Sequence, residues 1–575
     1  MDREYQVADN MGMLDVKTLK AEDLKGLSRS AVAELAAAML AQLAAKDEQL
    51  MAQEQQLAVK DEQISRRDHE LKLKEAKLEK VTFELARLKS WKFGAKTEAM
   101  SAEQRRLFEE TLAEDEASLL EQLRRLQEEL PAQGDTPKKS ARQPRRQALP
   151  EHLRRVEHRR EPEDTTCPTP DCGRQMVRVG EDISEKLDIV PAEFFVHRPV
   201  YGKWACKCCQ TLVQEAVAPQ IIDGGMPASG LLAHTLISRF VDHLPYYRQE
   251  AINGRSGVFT PRSTLAQWSG RGGVALEPLY DAHRDFVLGA RVLHADETPV
   301  SMLDPGAGKT KKAYVWGYAR GVFDPTPGVI YEFCLGRGAQ YPVRFLQARE
   351  GPYGGRSWQG TLVRDEYAAY ESVLDAETCP GRVAAGCLAH ARRKYAELVK
   401  ADASPVAEEA LRRIAAIYRI EAELVSMNAA ERLALRKALA QPLWDELHVW
   451  LQLERGRVAD GGATAKALDY SLNHWTALTR NLLDGEVPVD NNHLERQIRP
   501  WAMGRRAWLF TGSELAGQRA AIVMSLVQSA KLNGHDPYAY LRDVLERLPT
   551  HQASRIDDLL PHRWKMADPH KTAEP

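Results

Sequence analysis

Apolar residues stand at every seventh position through the first part of the chain: Leu43, Leu50, Leu57, Ile64, Leu71, Leu78 and Leu85. The segment LAAKDEQL at 43–50 returns as LAVKDEQI at 57–64. Sustained seven-residue spacing without Pro or Gly predicts a long coiled-coil helix, and with it a homodimer or larger assembly. The second core position holds Asp47, Glu54, Asp61, Asp68 and Glu75, so the seam is narrow, and a solvated spacer helix is the alternative. Gly94 interrupts the pattern. Ser101 and Gln104 then read as a capping box that restarts a helix running to about Leu130.

Helical spacing returns in GLLAHTLISRFVDHLPYYRQEAINGRSGVFTPRSTLAQWSG at 230–270. Leu231, Leu232, Leu236 and Ile237 form one face, and Tyr246 to Ile252 a second short helix. Gly254 and Gly257 break the pattern, and Ser263 caps a third helix carrying Leu265 and Trp268. Two short helices joined by a glycine turn, the second led by Arg262, describe a helix-turn-helix, with plain helical packing as the alternative. From Arg291 the texture changes to strands. RVLHADETPV is a short run ending at Asp296, and KKAYVWGYAR and GVIYEFCLGR alternate. GTLVRDEYAAY passes from apolar residues into Asp365. RVAAGCLAHARRKYAEL passes from a strand into a basic helix with Arg392, Arg393 and Lys394. Residues 403–483 are helical by pattern and read as an insertion.

Composition narrows the class. The 575 residues are 43% hydrophobic and 28% charged, as in a soluble globular protein of two to four domains. A net charge of −2 excludes a uniformly basic nucleic-acid binder but leaves room for local patches. No apolar run reaches the roughly 18 residues of a membrane span. The opening MDREYQVADN is unlike a secretory signal, so a cytoplasmic protein with reduced cysteines is expected. Nine Lys or Arg fall between Lys138 and Arg160, against Glu151 and Glu157 alone. That run suits either phosphate contacts or a solubilising linker. Cys167 and Cys172 flank PTPD, and Cys206 and Cys209 form a Cys-x2-Cys. Two close thiol pairs suit tetrahedral zinc, with buried free thiols as the alternative and Cys208 as a competitor. Cys334, Cys379 and Cys387 are isolated and read as core.

Three acids remain. Phosphodiester cleavage by two magnesium ions calls for about three converging carboxylates. Asp296 and Asp365 each end an apolar run, and Glu495 stands on a helix among Arg496, Arg499, Arg505 and Arg506. Singly, each acid has a local reading. Asp296 caps a turn before Pro299, Asp365 starts a helix, and Glu495 closes a capping box on Asn492 or pairs with Arg499.

HADETPV, GCLAHARRKY, DNNHLERQIRPWAMGRRAWLFTGSE and NGHDPYAYLRDVL together resemble the insertion-sequence-66 family of bacterial DDE transposases, over nearly the whole chain. The resemblance implies a ribonuclease H-like core with its metal triad on Asp296, Asp365 and Glu495, taking two magnesium ions or manganese in their place. It implies binding to double-stranded DNA at the element ends and the target, and small accessory proteins encoded by the same element. Arg496, Arg499, Arg505, Arg506, Arg392, Arg393, Lys394 and Arg262 are then the expected phosphate contacts. Two positions depart from the family pattern: Glu366 stands where Gly is usual, and the first cysteine pair is Cys-x4-Cys. The predicted fold is a multidomain α/β protein. A coiled-coil region (1–130) and basic linker (131–160) lead to a zinc-binding cysteine knuckle (161–220) and a helical DNA-binding region (221–285). A ribonuclease H-like catalytic domain (286–515) with the insertion at about 403–483 and a helical tail (516–575) follow. A non-catalytic DNA-binding regulator derived from a transposase is the alternative function.

Overall fold

The computed structural model describes residues 102–128 and 153–566, except 170–171, 191–192, 305–308, 349–356, 403 and 509–510, with scattered positions before 86 and residues 149 and 151. Most of the seven-residue repeat, the break at Gly94, Ser101 and residues 131–148 of the basic linker lie outside the described residues. The chain forms two compact units, Met1–Val81 with Leu126–Asp135, and Thr82–Arg125 with Thr136–Pro575. Described residues of the first, among them Lys60 and Leu78, are helical. The first long helix is α1 (Ala102–Glu128), which belongs to the second unit as far as Arg125.

The expected linker ends early. Arg154–Arg160 is a strand, β1, paired in parallel with β4 (Glu193–Ala205). Its sequence RRVEHRR hides the strand because the outward positions are charged and exposed, leaving no apolar alternation to read. β4 is the spine of this sheet. It also pairs antiparallel with β2 (Val177–Ile183), β3 (Lys186–Val190) and β5 (Leu212–Gln214).

Three helices follow: α2 (Ser229–Phe240), α3 (Tyr246–Arg255) and α4 (Arg262–Leu288). Here the helix-turn-helix expectation needs correction. The third helix is 27 residues long, and Leu265 and Trp268 are buried. Ser263 does not cap it; the N-cap is Pro261. Gly270 inside this helix serves as a contact point. A Cβ on Gly270 would lie 2.3 Å from the carbonyl oxygen of Glu114 on α1. A helix so enclosed is a core element, with Ser263, Gln267 and Glu277 among its few exposed positions.

The second sheet has the order β10-β9-β6-β7-β8. β6 (Val292–Asp304), β7 (Lys309–Arg320) and β8 (Val329–Cys334) form an antiparallel meander. β9 (Gly360–Val363) and β10 (Arg382–Ala385) add in parallel on the other side of β6. The helix α5 (Leu388–Asp402) leads into α6 (Pro405–Glu423), α7 (Gln441–Arg457) and α8 (Ala463–Asn473). These have a core of their own, into which α5 also places Leu388, Ala391, Tyr395 and Leu398. Arg436, fully buried, holds Glu421 at 2.6 Å and donates to the carbonyls of Asn481 and Val487, fixing the return path toward the sheet.

That path enters α9 (Asn492–Trp508), which lies on β6 and β7. Leu494 and Ile498 pack over Gly317, where a Cβ would stand 3.3 Å from both side chains. The C-terminal helices α10 (Glu514–Leu532) and α11 (Pro537–Arg547) are part of the core and not an appended tail. On α10, Ser525 and Ser529 accept hydrogen bonds from the β8 backbone at Tyr331 and Val329 (2.9 and 3.0 Å). Arg519 of the same helix reaches Glu114 and Asp115 of α1 at 2.7 and 2.8 Å, all three buried. Among the described residues no helix is long and apolar enough to cross a membrane.

Candidate metal centres and nucleic-acid interface

Asp296 lies inside β6 and not at its end, because the strand continues through Pro299 to Asp304. The proline is tolerated because β9 pairs with β6 only as far as His294, and beyond that β6 runs as an edge. The register sets the site. Val292 faces Thr361 and His294 faces Val363. β9 stops there, two residues before Asp365, while β6 runs on two residues to Asp296, and the charge of Asp365 acts on Asp296. Asp296 Oδ1 accepts from the Glu297 amide at 2.8 Å, and Asp365 Oδ1 from the Tyr367 amide at 3.1 Å.

Glu495 is in the first turn of α9. Its amide donates to the Asn491 carbonyl, and its carboxylate faces His390 Nδ1 at 3.7 Å and Arg393 at 3.8 Å. Neither local reading of this residue describes it: the acid at the start of α9 that accepts from Asn492 is Asp490. Burial holds the Asp296 carboxyl well above the ordinary carboxylate range, and the nearby charges of Glu297, Asp365 and Glu495 push it the same way. Glu495 Oε1 is buried with no hydrogen-bond partner. Mutually repelling, half-buried oxygen donors of this kind fit a hard divalent cation such as magnesium.

Glu366, the departure from the family pattern, turns elsewhere. Its carboxylate takes Arg364 at 2.6 Å and His474 at 2.9 Å, tying β9 to the insertion. Two residues that sequence reasoning passed over shape the site. Fully buried Asn491 donates to the Ala295 carbonyl (3.0 Å), and its Oδ1 accepts from His294 Nδ1 (2.7 Å). Burial drives His294 down to about 3, so the ring is neutral and its single proton sits on the nitrogen facing Asn491. Glu297 is buried beside Asp296 and held by Arg337 and the Tyr370 hydroxyl. The signal for Asn491 was present in DNN, but a buried amide and a turn asparagine look alike in sequence.

The expected basic contacts divide. Arg496 and Arg499 are exposed on α9, and Arg392, Arg393 and Lys394 are exposed on α5. Arg505 donates to the Pro299 carbonyl at 2.8 Å, and Lys394 lies over the Tyr470 ring. Arg262 sits apart at the start of α4, its amide on Glu250. The side chain of Arg506 lies outside the described residues.

The four expected zinc ligands come together at one end of the first sheet. Cys167 and Cys172 lie on the loop before β2, and Cys206 and Cys209 on the turn between β4 and β5. Their sulfurs all lie within 4.8 Å of one another, with Cys167 and Cys209 at 3.0 Å and Cys172 and Cys206 at 3.6 Å. Tetrahedral sulfurs around zinc stand roughly 3.8 Å apart, so the donor set fits a structural zinc. Gln210 takes a positive φ of 58° to close the turn, and Cys208 stays exposed outside the cluster. Cys387, expected to be plain core, is fully buried but joins His390 and Glu495 in a second group of ligand atoms within 4.8 Å. Burial pushes its thiol up to about 12.

Comparison with known proteins agrees with this layout. Family models match as the IS66 family transposase at residues 224–519, the IS66 C-terminal element at 525–562 and the zinc-finger binding domain of transposase IS66 at 164–210. A fourth, described as transposase C of IS166 homeodomain, matches 80–157. Uncharacterized protein y4jD of Sinorhizobium fredii is 37% identical over 428 residues, covering 72% of this chain and 81% of the relative. Uncharacterized protein y4qI of the same organism is 37% identical over 444 residues, covering 76% and 80%. With its finger, central region and C-terminal element all matched in order, the chain belongs to the IS66 family of transposases.

Proposed function

We propose that the protein cuts element-end DNA and joins the freed 3′-hydroxyl ends to a target, using a two-magnesium DDE site on Asp296, Asp365 and Glu495. What supports this reading is that β9 stops at Val363 opposite His294, two residues short of Asp365 on one strand and of Asp296 on the other, and that the charges of Asp365 and Glu495 both raise the Asp296 carboxyl. The sheet, three antiparallel strands followed by two parallel ones, supports the ribonuclease H-like assignment.

Bound there, magnesium would activate the attacking oxygen and stabilise the leaving one. The chain supplies the rest. β6 and the end of β9 hold two carboxylates on rigid backbone, and Asn491 fixes the height of α9 and so the reach of Glu495. Arg496 and Arg499 on one side, with Arg392 and Arg393 on the other, offer charge-assisted bonds to the phosphates flanking the scissile bond. A carboxylate among arginines hinders a passive DNA clamp but suits a site where a cation lies between acid and phosphate. The first turn of α4, β1 and the zinc finger are the surfaces proposed to bind the inverted repeats. The N-terminal heptads are proposed to hold two copies together for the two ends, with accessory proteins of the element assisting, in the cytoplasm at the nucleoid.

The test is cleavage of a labelled element-end duplex in magnesium, comparing wild type with Glu495→Gln. The wild type should nick at the element boundary, and the variant should bind without cutting. Cleavage by the variant at the wild-type rate would remove Glu495 from the triad. Binding without cutting by the wild type, even with the neighbouring gene products added, would favour a DNA-binding regulator.

A further inference from the structure

We propose that Cys387, His390 and Glu495 form a second zinc site, separate from the four-cysteine finger, whose occupation withdraws Glu495 from the carboxylate cluster. Cys387 immediately precedes α5 and His390 lies three residues on, so both project to one side of its first turn. Glu495 meets them from the first turn of α9. One ligand atom from each lies within 4.8 Å of the others.

Around a tetrahedral zinc, sulfur, nitrogen and oxygen donors stand roughly 3.3–3.8 Å apart. The separation of His390 Nδ1 and Glu495 Oε1 is 3.7 Å, too long for a hydrogen bond and right for two ligands of one ion. Both atoms are buried, and neither has a hydrogen-bond partner. Two facing, unsatisfied donors and acceptors are costly unless something sits between them. The sulfur is already held, since Cys387 Sγ accepts the Asn491 amide at 3.2 Å. That bond would steady a thiolate once the entering ion displaces the thiol proton to solvent.

Ligand chemistry selects the metal. A thiolate, an imidazole and a carboxylate favour zinc over magnesium, which takes hard oxygen donors. Three protein ligands leave the fourth position open to water. Glu495 is thus shared: magnesium needs it beside Asp296 and Asp365, whereas zinc draws it toward α5. This competition rests on the function proposed above; the metal site itself does not.

The experiment titrates the full-length, finger-loaded protein with cobalt(II) as a spectroscopic stand-in, then counts zinc by competition with a chromophoric chelator. The wild type should bind one more ion per chain than Cys387→Ser and show a new thiolate-to-cobalt charge-transfer band. His390→Gln, which spares the buried sulfur, should weaken the same ion at least tenfold, and Cys209→Ser should leave it in place. Equal stoichiometry in wild type and both α5 variants, or a cobalt spectrum without sulfur, overturns the proposal. Excess zinc should then inhibit magnesium-dependent end cleavage in the wild type and spare Cys387→Ser. If the extra ion binds and cleavage is untouched, the zinc site stands, and Glu495 is instead not a magnesium ligand.

Discussion

Asn491→Ala tests whether one buried amide sets the geometry of the site. Asn491, just ahead of α9, joins β6 and the start of α5 through three bonds: it donates to Ala295 of β6, accepts from His294 of β6, and its own amide meets Cys387 ahead of α5. Truncation leaves the Ala295 carbonyl and the His294 Nδ1 proton without that partner in a fully buried place. Each such loss costs about 1–3 kcal/mol, so the expected destabilisation is about 2–6 kcal/mol. That is a large share of the roughly 5–15 kcal/mol typical of folded domains. Asn492→Ala is the control. It removes the same side chain one position along, but a half-buried one whose amide bonds Asp490 within reach of water, and should cost less than about 1 kcal/mol. Urea unfolding followed by tryptophan fluorescence reads both. Under conditions where Asn491→Ala remains folded, end cleavage should fall much further than end binding, because Glu495 loses its anchor while the arginines keep theirs. Equal stability of the two variants, or a loss under about 1 kcal/mol at Asn491, would refute the bridging role.

Two other expectations use different parts of the molecule. Removing zinc with a chelator should expose residues 164–214 to protease while β6 to β10 stay protected by their own cores; an unchanged digestion pattern would mean the thiols need no metal. Buried His283 and His294 are depressed from 6.5 to about 4 and about 3, so the unfolded chain takes up protons that the folded one refuses. Stability is therefore complete above 6.5 and falls as pH drops toward those values, His283 alone costing about 2 kcal/mol by pH 5. His283→Gln should flatten the urea midpoint against pH by that amount, and an equally steep curve without the imidazole would exclude this origin.

Much of the architecture was legible where local pattern and tertiary role agree. The meander of β6 to β8 alternates visibly, β9 and β10 read as apolar runs, and the paired cysteines announce their own spacing. Failures came where a residue serves a distant partner. The helix led by Arg262 reads as a short one, yet it runs 27 residues because its buried face packs on distant elements such as α1. Pro299 reads as the end of a strand, but pairing on one side alone lets β6 pass through it. The charged residues of β1 mask a strand whose partner is some forty positions away. Cys387 looked solitary because its companions come from two helices, one of them more than a hundred residues on. Asp296, Asp365 and Glu495 could be nominated from their order, but their proximity depends on a strand register that periodicity does not encode.

The two serines of α10 carry a consequence for how copies of this chain can meet. By accepting the outward amides of Val329 and Tyr331, they occupy the hydrogen-bonding rim on which a foreign strand would otherwise grow. At the opposite rim β10 is only four residues long, and the guanidinium of Arg382 turns inward to the carbonyls of Trp358, Val373 and Leu346. The central sheet is thus a poor template at both margins. Strand addition is closed at one rim and short at the other, so any contact between copies falls to surfaces other than the margins of this sheet.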